Sequence, residues 1–160
     1  MADRIVKIHA ALAAAAEDTL GFYATLTPEQ LQCVVYTEEV HWTARQVLAH
    51  LVTIEKSMHA LFRNILSGGP GSPADFDVLR FNRSQPQKLD HLAMPELLDR
   101  FKAVRRETMA IVAAMSEEDL DREGRHVFLG HDRLERFIRW AYEHARLHEN
   151  DVRRAFTRMA

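Results

Sequence analysis

An all-α four-helix bundle is predicted by three observations: four long stretches of helical hydrophobic periodicity, no convincing period-two alternation, and a length of 160 residues. That length fits one domain, residues 1–160, with chain enough to bury a sizeable core. Apolar residues make up 47% and charged residues 28%, an ordinary soluble composition.

The first helix is expected over about residues 3–26. Ile5, Ile8, Leu12, Ala16, Thr19 and Tyr23 form one stripe at steps of three and four, and Pro28 marks the stop. A short extended piece is allowed at "QCVVY", within which Cys33 is read as a buried, inert thiol. The second helix has the clearest start. In "TARQ" the Thr43 hydroxyl suits an orphan N–H, and Gln46, three residues on, suits the reach back of a capping box. Its stripe is Val47, Leu51, Ile54, Met58, Leu61 and Ile65, and "SGGPGSP", residues 67–73, ends it.

The third helix begins near Pro95, a residue suited to the first helical position. Leu97, Leu98, Phe101, Val104, Thr108, Ile111, Val112 and Met115 are expected to face inward. The fourth starts near Asp132, with Glu135 completing a second capping pattern; Leu134, Phe137, Ile138, Ala141, Ala145, Val152 and Phe156 are its core stripe. Between the second and third helices lie residues 68–94, rich in Gly, Pro, Asp and Asn. Connections of that length are uncommon and serve as lids or crossovers. The up-down order is left open.

A formal net charge of -2 gives no pointer to nucleic acid or an anionic membrane. The N-terminal apolar run contains acids and a histidine, unlike a signal peptide. No apolar run reaches the roughly 18 residues a membrane span needs. A single cysteine allows no internal disulfide, which fits a reducing cytoplasm.

The candidate chemistry lies in the histidines. His144 and His148 are four residues apart, but nine histidines in 160 residues yield about half of one such pair by chance. Direction matters more than spacing. On the fourth helix the charged residues Glu135, Arg139, Glu143, Arg146 and Arg153 cluster on one side. His144 and His148 lie about 40° apart on the other, with Phe137 and Ala155. Two imidazoles one turn apart on a core-facing surface supply two ligands to one metal ion.

A third ligand is sought on another helix, and His50, at the border of the second stripe, is the leading candidate. His59 projects from the opposite side of that helix, and His41 precedes the cap. His9 borders the first stripe as a weaker fourth candidate; His126 and His131 are placed at a pocket mouth. The competing account is a set of core histidines, each bonded to backbone or water. Three unpaired buried imidazoles would carry an unmet polar cost that a shared cation removes. Di-iron Glu-x-x-His motifs are absent, since Ala141 and Ala145 precede the two histidines by three, and so is H-E-x-x-H. A haem slot does not suit two imidazoles on one turn. Asp151 is read as a boundary charge, or as a carboxylate that orients a ligand. Trp42 is read as a packing residue.

"HWTARQVLAHLVTIEKSMHALF" and "EHARLHENDV", with "EDLDREGRHVFLGHDRLERFI" leading into the latter, resemble the DinB-like family over nearly the whole chain. The resemblance implies a four-helix bundle of DinB type with long crossover loops. It implies that His50, His144 and His148 bind one divalent metal (Zn, Ni or Fe) with coordination positions left open for water or substrate. It implies a small-molecule enzyme, a thiol-dependent S-transferase using a low-molecular-weight thiol or a related hydrolase or isomerase, and a homodimer. No catalytic acid or base is matched, so the alternative is a non-catalytic metal-binding or dimerisation bundle.

Overall fold

A computed structural model describes residues 3–159. Its four long helices are α1 (Asp3–Ala24), α3 (Ala44–Leu66), α5 (Met94–Ala113) and α7 (Leu134–Thr157). Between them lie the one-turn helix α2 (Pro28–Leu31), β1 (Val34–Tyr36), β2 (Trp42–Thr43), α4 (Val78–Ser84), a 3-10 turn (Pro86–Leu89), α6 (Glu117–Leu120), β3 (Glu123–His126) and β4 (Gly130–Arg133). β1 pairs antiparallel with β2, and β3 with β4. None of the described helices is long and apolar enough to cross a membrane.

The four helices form a ring in which α1 and α3 each pack between α5 and α7, so α1 sits diagonally from α3 and α5 from α7. Directions follow from the cross-links. Arg4 at the start of α1 reaches Glu135 at the start of α7, and Thr19 reaches Glu149, so these two helices run parallel. Arg45 reaches the carbonyls of Leu89 and Leu92 just before α5, Glu55 meets Arg105, and His59 meets Thr108, so α3 and α5 are parallel to each other. The Arg4 backbone N–H donates to Glu117 Oε1, beyond the end of α5, which makes α1 and α5 antiparallel. The order is up-down-down-up. A parallel α3–α5 pair requires the chain to return the length of the bundle, about 35 Å for a 23-residue helix. That is the physical reason for the long 68–94 connection.

That connection is not structureless. Asp77 caps α4 by accepting from the Arg80 N–H at 2.9 Å, and the 3-10 turn leads into α5. The "SGGPGSP" segment does more than end α3: Ser72 N–H donates to the Arg125 carbonyl at 2.7 Å, and Arg125 N–H donates to the Pro70 carbonyl at 2.9 Å. Gly71 has φ +94°, and a Cβ there would sit 2.5 Å from Arg125 backbone atoms, so only glycine allows this docking.

Several expected boundaries are corrected. Pro28 opens α2 rather than merely stopping α1, because Thr27 and Gln30 form a capping box around it. The helix expected from Asp132 starts at Leu134. Asp132 lies in β4, Arg133 is the cap with no side-chain bond, and the Leu134 N–H is taken by the Arg122 carbonyl at 2.8 Å. Glu135 does not reach back; it binds Arg4 and Arg139 instead. Thr43 and Gln46 do form the capping box of α3. The inward face of α5 includes Arg105, 1% exposed, which the apolar stripe omitted, whereas Leu98 and Ile111 are only half-buried. Cys33 is half-buried, near the Ala155 carbonyl, not fully enclosed.

Candidate metal centre

The Thr43 cap fixes where α3 begins, and His50 follows two turns later on a helix buried on nearly every side. His144 and His148 come from α7, antiparallel to α3, at the same height. One ligand atom from each of the three histidines lies within 4.8 Å of the others. The ring centroids are 5.2 Å (His50–His144), 4.9 Å (His50–His148) and 4.4 Å (His144–His148) apart.

Aromatic rings hold each imidazole in place. Trp42, on β2, stacks on His50 at 4.5 Å, and Trp140, one turn before His144, stacks on it at 5.1 Å. Tyr36, on β1, meets His148 edge-on. The Tyr36 hydroxyl donates to Asp151 Oδ2 at 2.6 Å and lies 2.8 Å from His148 Nδ1. A hydroxyl whose one hydrogen is committed to a carboxylate can only accept from the ring, so Nδ1 carries the hydrogen and Nε2 keeps its lone pair. Asp151 therefore orients His148 through Tyr36 and is more than a boundary charge, although Arg154 also pairs with it at 3.1 Å.

Burial sets the charge state. It pushes His144 down to about 3, with His148 and then His126 adding to the effect, and His148 down to about 4. His50 is held well below the ordinary histidine value, by burial first and then by its two neighbours. All three rings are neutral at pH 7, the form that binds metal. Two features fit a cation. The Nε2 atoms of His144 and His148 lie 2.8 Å apart, a separation that demands a shared proton or a shared cation between lone pairs. The Nδ1 of His50 is buried with no hydrogen-bond partner. Three imidazole nitrogens suit Zn, Ni or Fe and do not separate them.

The other histidines lie elsewhere. His59 Nε2 is 2.7 Å from Thr108 Oγ1, inside a buried network with Glu55 and Arg105. His9 lines a groove between α1 and α5, and His131 is exposed on β4. His126 is buried at the end of β3 and lines a cavity beside α3. Tyr36 and Trp140 were the residues that sequence reasoning missed. Trp140 could have been found from its spacing of one turn before His144; Tyr36 had no such signal beyond its place in an extended run.

Residues 11–151 match the DinB superfamily. No curated protein matches the chain. Among solved structures, the chain is similar to YfiT from Bacillus subtilis, described as "a probable metal-dependent hydrolase with an unusual four-helix bundle topology". The TM-score is 0.77 over 99% of this chain and 90% of YfiT, at 18% identity, so the likeness is one of fold.

Proposed function

The chain belongs to the DinB superfamily, and from that premise we propose that it is a metal-dependent enzyme acting on a small molecule, with His50, His144 and His148 holding one divalent ion. The observation that carries this reading is the convergence of three neutral imidazoles, one already oriented by the Tyr36–Asp151 pair. Three protein ligands leave positions for a reactant, as catalytic sites do and closed structural sites do not. A bound ion would supply Lewis-acid polarisation and stabilise a nucleophile in its deprotonated form.

The protein's own groups do the rest. Trp42 and Trp140 stack on two of the rings and fix their planes. Tyr36 holds the His148 hydrogen on Nδ1. The buried carboxylates are otherwise engaged: Glu55 with Arg105, and Glu149 with Thr19. Neither is free to act as a base at the triad, which favours a reaction whose nucleophile is activated by the ion itself. Thiol transfer with a low-molecular-weight thiol is the first reading, resting on the family resemblance. Metal-dependent hydrolysis is the second, favoured by the description of YfiT. The chain is proposed to act as one domain in the cytoplasm, as a homodimer.

Elemental analysis of purified protein tests the site. About one Zn, Ni or Fe per chain, lost in His50→Ala, His144→Ala and His148→Ala variants that keep their helical signal, is the expected result. Undiminished metal in the His144→Ala, His148→Ala double variant would sink it. Metal-loaded protein is then assayed with thiols and electrophiles, and with ester and amide substrates. Inactivity throughout, with a melting temperature that collapses on chelation, would point to a structural ion in a non-catalytic bundle.

A further inference from the structure

His126 ends β3, and its Nδ1 accepts the backbone N–H of Phe128 at 3.0 Å and of Leu129 at 3.2 Å. A nitrogen that accepts two amide hydrogens carries none of its own, so the ring holds its hydrogen on Nε2. The residue is 2% exposed, and among the described residues nothing accepts from that Nε2–H, which is not sealed from solvent and opens on a cavity. A donor that opens on a cavity without a partner in the chain is available to an acceptor from outside it.

The surroundings say what kind of partner. His126 lines a cavity of about 310 Å³ whose other walls include Ile54, Met58, Leu61, Phe76 and Val127. The docked glycine segment closes one side, with Gly71 and Ser72 in the lining. That volume is at the small end for ligand pockets. It has room for a medium-length aliphatic chain or one substituted ring, and not for anything nucleotide-sized.

The cavity lies beyond the triad along α3. Ile54 and Leu61 lie one and three turns beyond His50 on the same strip of α3, so the cavity wall begins about 6 Å along the axis from that residue.

We propose that this cavity binds the apolar arm of a small amphiphilic substrate, whose oxygen acceptor receives the His126 Nε2–H and whose reacting group points toward His50, His144 and His148. The direction of the reacting group rests on the metal reading above; the cavity and its donor do not. His126 is a positioning residue in this scheme.

The test is calorimetric titration of chelator-treated full-length protein with octanoate and with octylamine. The two have the same chain length, but the ammonium cannot accept a hydrogen bond. Octanoate is expected to bind at one site, and octylamine at least tenfold more weakly. Ser57→Phe, which fills the cavity from α3, is expected to abolish octanoate binding. His126→Phe should weaken it about tenfold, with circular dichroism confirming that both variants fold. Equal binding of the two probes in the unaltered protein, or full octanoate affinity in Ser57→Phe, would overturn the proposal; the first comparison needs no variant to fold. Octanoate binding that appears only after zinc is restored would also overturn it, since the carboxylate would then sit on the metal. Octanoate bound by a protein that takes up no zinc, nickel or iron when each is added back would leave the cavity standing and refute the metal reading alone.

Discussion

Tyr36 decides the orientation of His148 with a single hydroxyl. It donates to Asp151 and accepts from the ring, so its loss frees the ring to flip or change tautomer. Tyr36→Phe is expected to weaken metal binding by about 10–100-fold while leaving the fold intact, as read by competition with a chelating dye; unchanged affinity would deny Tyr36 that role. The buried histidines also make stability depend on pH. Their folded values lie below the unfolded value near 6.5: His126 and His148 at about 4, His144 at about 3. A group depressed on folding contributes stability that is fully present above its unfolded pKa and is lost as pH falls through its folded one. For chelator-treated protein, the urea midpoint should therefore stay flat above about pH 6.5 and fall steadily toward pH 4 and then 3. A midpoint that rises on acidification would contradict neutral burial of these rings.

Elements in this bundle are punctuated by short local devices. Thr43 is one: its hydroxyl accepts the Gln46 N–H, and the Gln46 side chain accepts the Thr43 N–H, so α3 starts where it must for His50 to reach α7. Thr43→Ala should cost about 1 kcal/mol in urea unfolding. The glycine segment after α3 is another. At Gly71, the positive φ and the 2.5 Å approach to Arg125 leave no space for a methyl group. Gly71→Ala should destabilise by at least about 1–3 kcal/mol and loosen the cavity wall. A cost below a few tenths of a kcal/mol would mean that the loop is not docked on β3 as described. The cap of α3 was legible because both partners lie within one helical turn. The docking of Gly71 was not, because Arg125 is distant in the chain, and a polar hairpin such as "EGRH" and "GHDR" shows no hydrophobic alternation to announce itself.

Across the whole molecule, one buried polar network joins all four long helices. Arg105 on α5 makes a bidentate pair with Glu55 on α3 at 2.7 and 3.0 Å, and also donates to the carbonyls of Leu12 on α1 and Ala141 on α7. Thr108 and His59 extend it. Such a pair contributes little net stability compared with well-packed apolar residues, yet breaking one half leaves an unpaired charge in the core. Glu55→Gln is expected to cost about 3–5 kcal/mol in urea unfolding, and Glu55→Gln combined with Arg105→Met distinctly less than the sum of the single changes. Additive losses would mean that the pair is not coupled. The offsets of its cross-links, Glu55 to Arg105 and His59 to Thr108, match α3 and α5 running in the same direction.

The sequence by itself determined the four helices and the direction of their apolar stripes, because a period of 3.6 residues is written into neighbouring positions. For the same reason it placed His144 and His148 on one inward face and picked out His50 on α3. Only the tertiary structure decided the helix order, the arrival of His50 beside the α7 pair, and the roles of Tyr36, Arg105 and His126. Each of these depends on a partner far away in the chain. Tyr36 and Asp151 are 115 residues apart, and Arg105 and Glu55 are 50 apart. A lone polar residue in a stripe carries no local mark of the group that will satisfy it, so its meaning appears only when packing removes the water around it.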